Sequence, residues 1–223
     1  MVAQRLSVVV PALNEARGIA DALRALAPLR SRGHELIVVD GGSHDGTREI
    51  AAALADATIV APRGRARQMN AGARAARGDA LVFLHADTRL PPGGAEVILE
   101  SLKTHAWGRF DVQIEGRHPL LPLIARAMNL RSRLTGIATG DQAIFVRREA
   151  FEGFPEIPLM EDVAFSKAMK RRSPPACLRS RVVTSGRRWE ARGVIRTVAL
   201  MWRLRLLYFL GASPERLARL YAR

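Results

Sequence analysis

Four short apolar runs, LSVVV (Leu6 to Val10), ELIVVD (Glu35 to Asp40), ATIV (Ala57 to Val60) and ALVFL (Ala80 to Leu84), alternate with helix-like segments at 16–32, 46–55 and 65–76. Runs with apolar interiors, rather than apolar residues at every second position, suit strands buried on both faces. The 3.6-residue periodicity between them suits covering helices. The pattern predicts an α/β fold with a mostly parallel sheet flanked by helices. In such sheets ligands gather beyond the carboxyl ends of the strands. Polar residues follow all four runs: Asn14 and Glu15, Asp40, the arginines at 63–67, and His85 with Asp87. Four strand ends that meet at one edge make that edge the candidate site.

The second half changes character. A helix is expected from Gly94 to Thr104, then a strand-like WGRFDVQI, a Pro-bounded segment HPLLPLIARAMNLRSRL, a short run QAIFVRRE and a helix opening at Glu161. Another strand-like piece, Cys177 to Thr184, precedes a long basic helix from about Glu190 to Leu210. The tail SPERLARLYAR opens with Ser213 as N-cap and Pro214 at the first helical position. With 223 residues, 48% of them hydrophobic, the chain can bury one sizeable core.

The single cysteine, Cys177, excludes an internal disulfide and a cysteine-based zinc site, and a reducing, cytoplasmic location is expected. The N-terminal apolar run is too short for a signal segment, and no uncharged run is long enough to span a membrane. The formal charge of +14 draws the chain toward nucleic acid, anionic lipid or phosphorylated substrates. With 5% aromatic residues and neither zinc-finger spacing nor an RNA-recognition core, nucleic acid is not expected as the partner.

Neither GxGxxG nor a lysine-bearing phosphate loop is present, so a dinucleotide site and an NTPase are poorly supported. Carboxylates stand at strand ends instead. Asp40, ahead of a Gly-Gly-Ser turn, can accept hydrogen bonds from a base or ribose, whereas Ser43 and Asp45 read as turn and cap residues. Asp87 is the candidate ligand for a divalent cation whose shell a diphosphate would complete. His85 is a second ligand, which would favour manganese, or a hydrogen-bonding partner. Arg63, Arg65 and Arg67 open a helix and suit diphosphate oxygens, with a solvated basic face as the alternative. Glu161 and Asp162, in a first helical turn, are dipole partners or a general base.

The blocks VVVPALNEA, VVDGGSHDGT, the stretch from GRARQMNAGARAARGD to FLHADT, and GDQAIFVRREAFEGFPEIPLMEDVAFSKAMKR occur in this order. Together they resemble a family 2 glycosyltransferase with the GT-A (Rossmann-like) fold, of the small bacterial type often annotated beside radical-SAM proteins. The resemblance implies a metal-dependent inverting enzyme that moves one sugar from a nucleotide-diphosphate sugar, most fittingly a UDP-sugar, to a hydroxyl of a small-molecule or lipid acceptor. It implies that Pro11, Asn14 and Glu15 line the nucleotide pocket and that Asp40 contacts the base or ribose. Arg65, Arg67 and His85 fall on the donor side, Asp87 holds manganese or magnesium, and Asp162 is the base with Glu161 beside it. Two positions depart from the pattern: His85 replaces the first aspartate of a DXD motif, and Gly41 stands where many relatives have a second acid. SGRRWEARG is similar to the QxxRW motif, with Arg188 and Trp189 matching on the acceptor side and Ser185 in the glutamine position. The expected organisation is a catalytic domain at 1–186, with a nucleotide-binding half to about 104 and an acceptor half from about 105. A helical extension at 187–223 packs on or beside it. A nucleotidyltransferase of related fold, or a binding module that has lost catalysis, are the alternatives.

On the basic helix, Arg188, Arg192, Arg196 and Arg203 form a stripe of about 80° opposite Val194, Val198, Met201, Trp202, Tyr208 and Phe209. Either the apolar side packs on the catalytic domain, or the cationic face rests peripherally on an anionic membrane. Arg205 falls on the apolar side, where it snorkels or pairs with an acid.

Overall fold

The computed structural model describes residues 5–222. Its first half is β1 (Leu6–Ala12), α1 (Ile19–Arg30), β2 (Glu35–Asp40), α2 (Thr47–Leu54), β3 (Ala57–Val60), α3 (Arg65–Ala75), β4 (Ala80–Phe83), the two-residue β5 (Thr88–Arg89) and α4 (Gly94–Ser101). The second half is β6 (Trp107–Glu115), α5 (Leu121–Thr135), β7 (Ile144–Arg147), α6 (Glu161–Lys170), β8 (Ala176–Ser185), α7 (Arg187–Arg192), α8 (Val194–Phe209) and α9 (Pro214–Ala222).

One eight-stranded mixed sheet has the order β3-β2-β1-β4-β7-β6-β8-β5. The β3-β2-β1-β4 half is parallel, as the apolar runs require. Beyond β4 the directions mix: β7 is antiparallel to both β4 and β6, β8 is parallel to β6, and β5 is antiparallel to β8. Both faces of the parallel half are covered, so its strands need no polar alternation. Val8 and Val10 pack with Leu23 of α1 and Ile98 of α4 on one face, while Val9 packs with Met69 of α3 and Phe165 of α6 on the other. Gly72 lets α3 sit close to the sheet, since a Cβ there would come 2.3 Å from Val9 Cγ1 and 2.9 Å from Val39 Cγ2.

Two findings depart from the expected elements. The Pro-bounded segment is α5, which Pro122 opens within its first turn, where a missing N–H costs nothing. Its inner side is fastened to β6: Asn129 donates to Val112 O and accepts from Val112 N–H at 2.9 and 2.8 Å, and Arg133 pairs with Asp111 at 2.7 Å. The long basic helix is not continuous. Gly193, at φ 81°, separates α7 from α8, so the four-arginine stripe is split between two helices. Arg188 and Arg192 turn to the central cavity, while Trp202 and Phe209, expected on the packed side, are exposed. The inward side of α8 is instead held by Leu204, which with Leu217 of α9 is buried against Met160 and Val163.

Candidate active site

The chain runs from β1 outward to β2 and β3, then returns to the other side of β1 as β4. That reversal opens a crevice at the carboxyl ends of β1 and β4. A cavity of about 360 Å³ lies there. Its lining comes from Pro11 to Leu13 at the end of β1, Arg63 to Arg65 at the start of α3, His85 to Asp87 after β4 and Thr139 to Asp141 before β7. The antiparallel direction of β7 puts its beginning, rather than its end, at this edge. Glu161 and Asp162 of α6 complete the wall, and Arg188 and Trp189 of α7, Met201 and Arg205 of α8 and Tyr221 of α9 also line the cavity.

Of the residues singled out in the sequence, Pro11, Glu15, Arg65, His85, Asp87, Glu161, Asp162, Arg188 and Trp189 line this one cavity. Asn14, Asp40 and Arg67 are outside its lining. Asn14, at φ 54°, stitches two loops together: its N–H donates to Ser43 Oγ at 2.9 Å, and its Oδ1 accepts from His44 N–H at 3.0 Å. The Glu15 N–H to Thr47 Oγ1 bond at 2.8 Å extends the seam. Arg67 forms an exposed pair with Glu156 at 3.5 Å. Asp40 is 2% exposed, and its Oδ2 accepts from the N–H groups of Gly42 and Ser43 at 3.0 Å each. Its Oδ1 is buried and has no partner among the described residues. A buried carboxylate oxygen with no donor is costly unless a ligand supplies one. The neighbouring Gly41 leaves room for Gln68, whose Nε2 donates to Ala12 O and Val39 O at 2.8 Å each. A Cβ at 41 would come 3.0 Å from that amide, which would have to shift by a few tenths of an ångström.

Among the described residues Asp87 carries one weak side-chain contact, from Thr88 Oγ1 at 3.4 Å. Among the described residues no group of three His, Cys, Asp or Glu side chains could hold a metal ion by itself. A cation at Asp87 would need its other ligands from substrate and water. His85 is braced elsewhere, with Nδ1 at 3.2 Å from Asp141 Oδ1 and Nε2 packed against Gly140, where even a Cβ would come within 2.5 Å.

Sequence reasoning missed Asp141 and the place of Arg205 in the site. Burial raises the Asp141 pKa, but the hydrogen bond and charge of His85, with Arg65 and Arg188, outweigh that and hold it down at about 2. An acid just before a short strand-like run was the available signal, and it becomes meaningful only once β7 is known to run antiparallel. Arg205, read as an intruder on an apolar face, lines the cavity. Burial lowers its pKa while Asp162 and Asp141 oppose the shift. At the start of α6, Asp162 Oδ2 accepts from Gly140 N–H at 3.0 Å and Oδ1 from Val163 N–H at 2.7 Å. Its neighbour Glu161 is buried, and that burial, with the charge of Asp162, pushes its pKa up. Arg65 stands close to this acid group; burial works against its charge, and Glu161, Asp141 and Asp162 more than restore it.

The sequence profile described as "Glycosyl transferase family 2" matches residues 7–153. No curated protein matches the chain in sequence. Among solved structures, S. aureus TarS 1-349 in complex with UDP-GlcNAc aligns at a TM-score of 0.62 with 18% identity, over 82% of this chain and 58% of that one. The chain therefore spans less than two thirds of that structure. Glucosyl-3-phosphoglycerate synthase from Mycobacterium tuberculosis, solved with Mn2+, UDP and glucosyl-3-phosphoglycerate, aligns at 0.59 with 21% identity, over 81% of this chain and 71% of that one. The mannosyltransferase PcManGT from Pyrobaculum calidifontis, in complex with GDP-Man and Mn2+, aligns at 0.59 with 22% identity, over 80% and 56%.

Proposed function

The chain belongs to glycosyl transferase family 2, and on that premise we propose that it transfers a single sugar from a nucleotide-diphosphate sugar to a hydroxyl acceptor, with inversion at the anomeric carbon. The observation that carries this reading is the placement of Asp87, after β4, and Asp162, at the start of α6, on the wall of one cavity. A UDP-sugar is the favoured donor, since the TarS and M. tuberculosis structures hold UDP compounds.

Asp40 receives the nucleoside: its unpartnered Oδ1 accepts a hydrogen bond from the base or ribose. Arg65 and Arg188 face the diphosphate, whose negative charge grows as the sugar leaves. A divalent cation, manganese or magnesium, would neutralise that charge when bound, and Asp87 is the residue that would hold it. On the acceptor side, Asp162 takes the proton of the incoming hydroxyl. Two backbone N–H groups aim its carboxylate. Burial and the charge of Asp162 raise the pKa of Glu161, which sets it apart from its neighbour. Trp189, half-buried on the same wall, offers the acceptor an apolar surface.

Release of UDP from UDP-sugars in the presence of manganese tests the reading. Asp162→Asn is expected to keep donor affinity in calorimetry while turnover falls by roughly two to four orders of magnitude. Asp87→Ala is expected to weaken manganese-supported donor binding instead. Loss of donor affinity in Asp162→Asn, or an unchanged metal titration in Asp87→Ala, would overturn these assignments.

A further inference from the structure

Nine large apolar side chains are exposed among the described residues, and eight of them lie on α5 or on α8 and its end. Leu123, Leu130 and Leu134 on α5, and Ile195, Trp202, Leu206 and Phe209 on α8, are between 59% and 77% and between 59% and 80% exposed respectively. At 100° per residue each set falls within about 60° of arc, so each helix carries one apolar ridge. The two helices come together at the end of α5, where Ile137, just beyond it, packs in the cluster that buries Leu204 of α8; the charge of Arg205 on α8 also adds to burial in holding Arg131 of α5 down at about 10. The Nε atoms of both, and Nη2 of Arg131, are buried without hydrogen-bond partners. On their outer flanks the ridges are bordered by exposed arginines, Arg126 on one side and Arg196 and Arg203 on the other. Neither helix contains a single Asp or Glu.

We propose that the paired ridges of α5 and α8 are a docking surface for an anionic lipid bilayer, with the helices lying in the headgroup plane. An apolar stripe with a tryptophan, edged by arginine and free of acid, is the pattern of an interfacial helix. No helix among the described residues is long and apolar enough to cross a membrane, so the contact is peripheral. Charge selects the occupant. A second copy of the chain would set these exposed arginines against their own counterparts, whereas lipid phosphates neutralise them. The same α8 turns Met201 and Arg205 inward to the cavity. The bilayer therefore lies one helix away from the site, and a lipid-borne acceptor follows as the substrate class. That last consequence rests on the transferase reading; the docking itself does not.

The test is co-sedimentation of the full chain with phosphatidylcholine vesicles, with and without about one third phosphatidylglycerol. Binding is expected only to the anionic vesicles. It should fall about tenfold or more both in Trp202→Ser/Leu206→Ser/Phe209→Ser and in Arg126→Gln/Arg196→Gln/Arg203→Gln, while UDP affinity, read by calorimetry, stays at the wild-type value. If the apolar triple variant does not fold, quenching of wild-type fluorescence by brominated phosphatidylglycerol, lost in Trp202→Phe, reads the same contact. No binding to anionic vesicles, or binding unchanged in both triple variants, overturns the proposal. So does a dimer in light scattering that the apolar substitutions abolish, which would give the face to a second copy.

Discussion

Glu161 and Asp162 are adjacent in sequence yet placed in contrasting surroundings. Glu161 is buried beside a like charge, which raises its pKa above the ordinary 4.5, so in the window above that value the folded protein binds a proton that the unfolded chain has released. Stability therefore declines as pH rises through this window. Glu161→Gln is expected to remove the decline: its melting temperature, followed from pH 4.5 upward, should hold where that of the wild type falls. A parallel fall in both proteins would show that the carboxyl is already ionised. Asp141 has the opposite sign. Its stabilising contribution is complete above the ordinary value of 3.8 and disappears as pH falls through about 2. The strand-end acids were legible because each closes an apolar run. Asp141 was not, because its meaning depends on His85, 56 residues earlier in the chain.

At the scale of elements, α3 carries much of the site's precision. It starts with Arg65 on the cavity wall, fixes Gln68 beneath Gly41, and rests on the sheet through Gly72. Gly72→Ala is expected to cost about 1–3 kcal/mol through overpacking against Val9 and Val39, read in urea denaturation. It should also weaken UDP binding, because the helix cannot move without carrying Arg65. A wild-type midpoint would mean that the sheet yields at no cost. The elements of the parallel half were readable to within a few residues because both faces of those strands are buried, leaving uninterrupted apolar runs. The second half resisted for identifiable reasons. In α5 a Pro-bounded segment that the sequence left without an element type is a helix, with its proline in the first turn. In the basic helix a single glycine at positive φ splits what periodicity joins. The outward Trp202 and Phe209 defeat any assignment of faces that assumes apolar means packed.

For the whole molecule, ligand and stability are coupled, since the cavity is walled by elements from both ends of the chain. UDP at about one hundred times its dissociation constant is expected to stabilise the fold by roughly 2.7 kcal/mol, a rise of about 5–10 °C in Tm for a chain of this size. The rise should require manganese and vanish in Asp87→Ala. A manganese-independent rise would place the cation outside the donor site. The coupling has a structural origin in the short ladder between β5 and β8. Thr88 Oγ1 donates to Thr184 Oγ1 at 2.9 Å across 96 positions of sequence, and Ser185 N–H donates to the carbonyl of Asp87 at 3.2 Å. Seen in time rather than space, this ladder is a delay: at about 5–20 residues per second, Asp87 leaves the ribosome roughly 5–20 s before its partner strand is made. The nascent chain can assemble β1 to β4 in that interval, but the backbone of Asp87 is held in place only once β8 has been made.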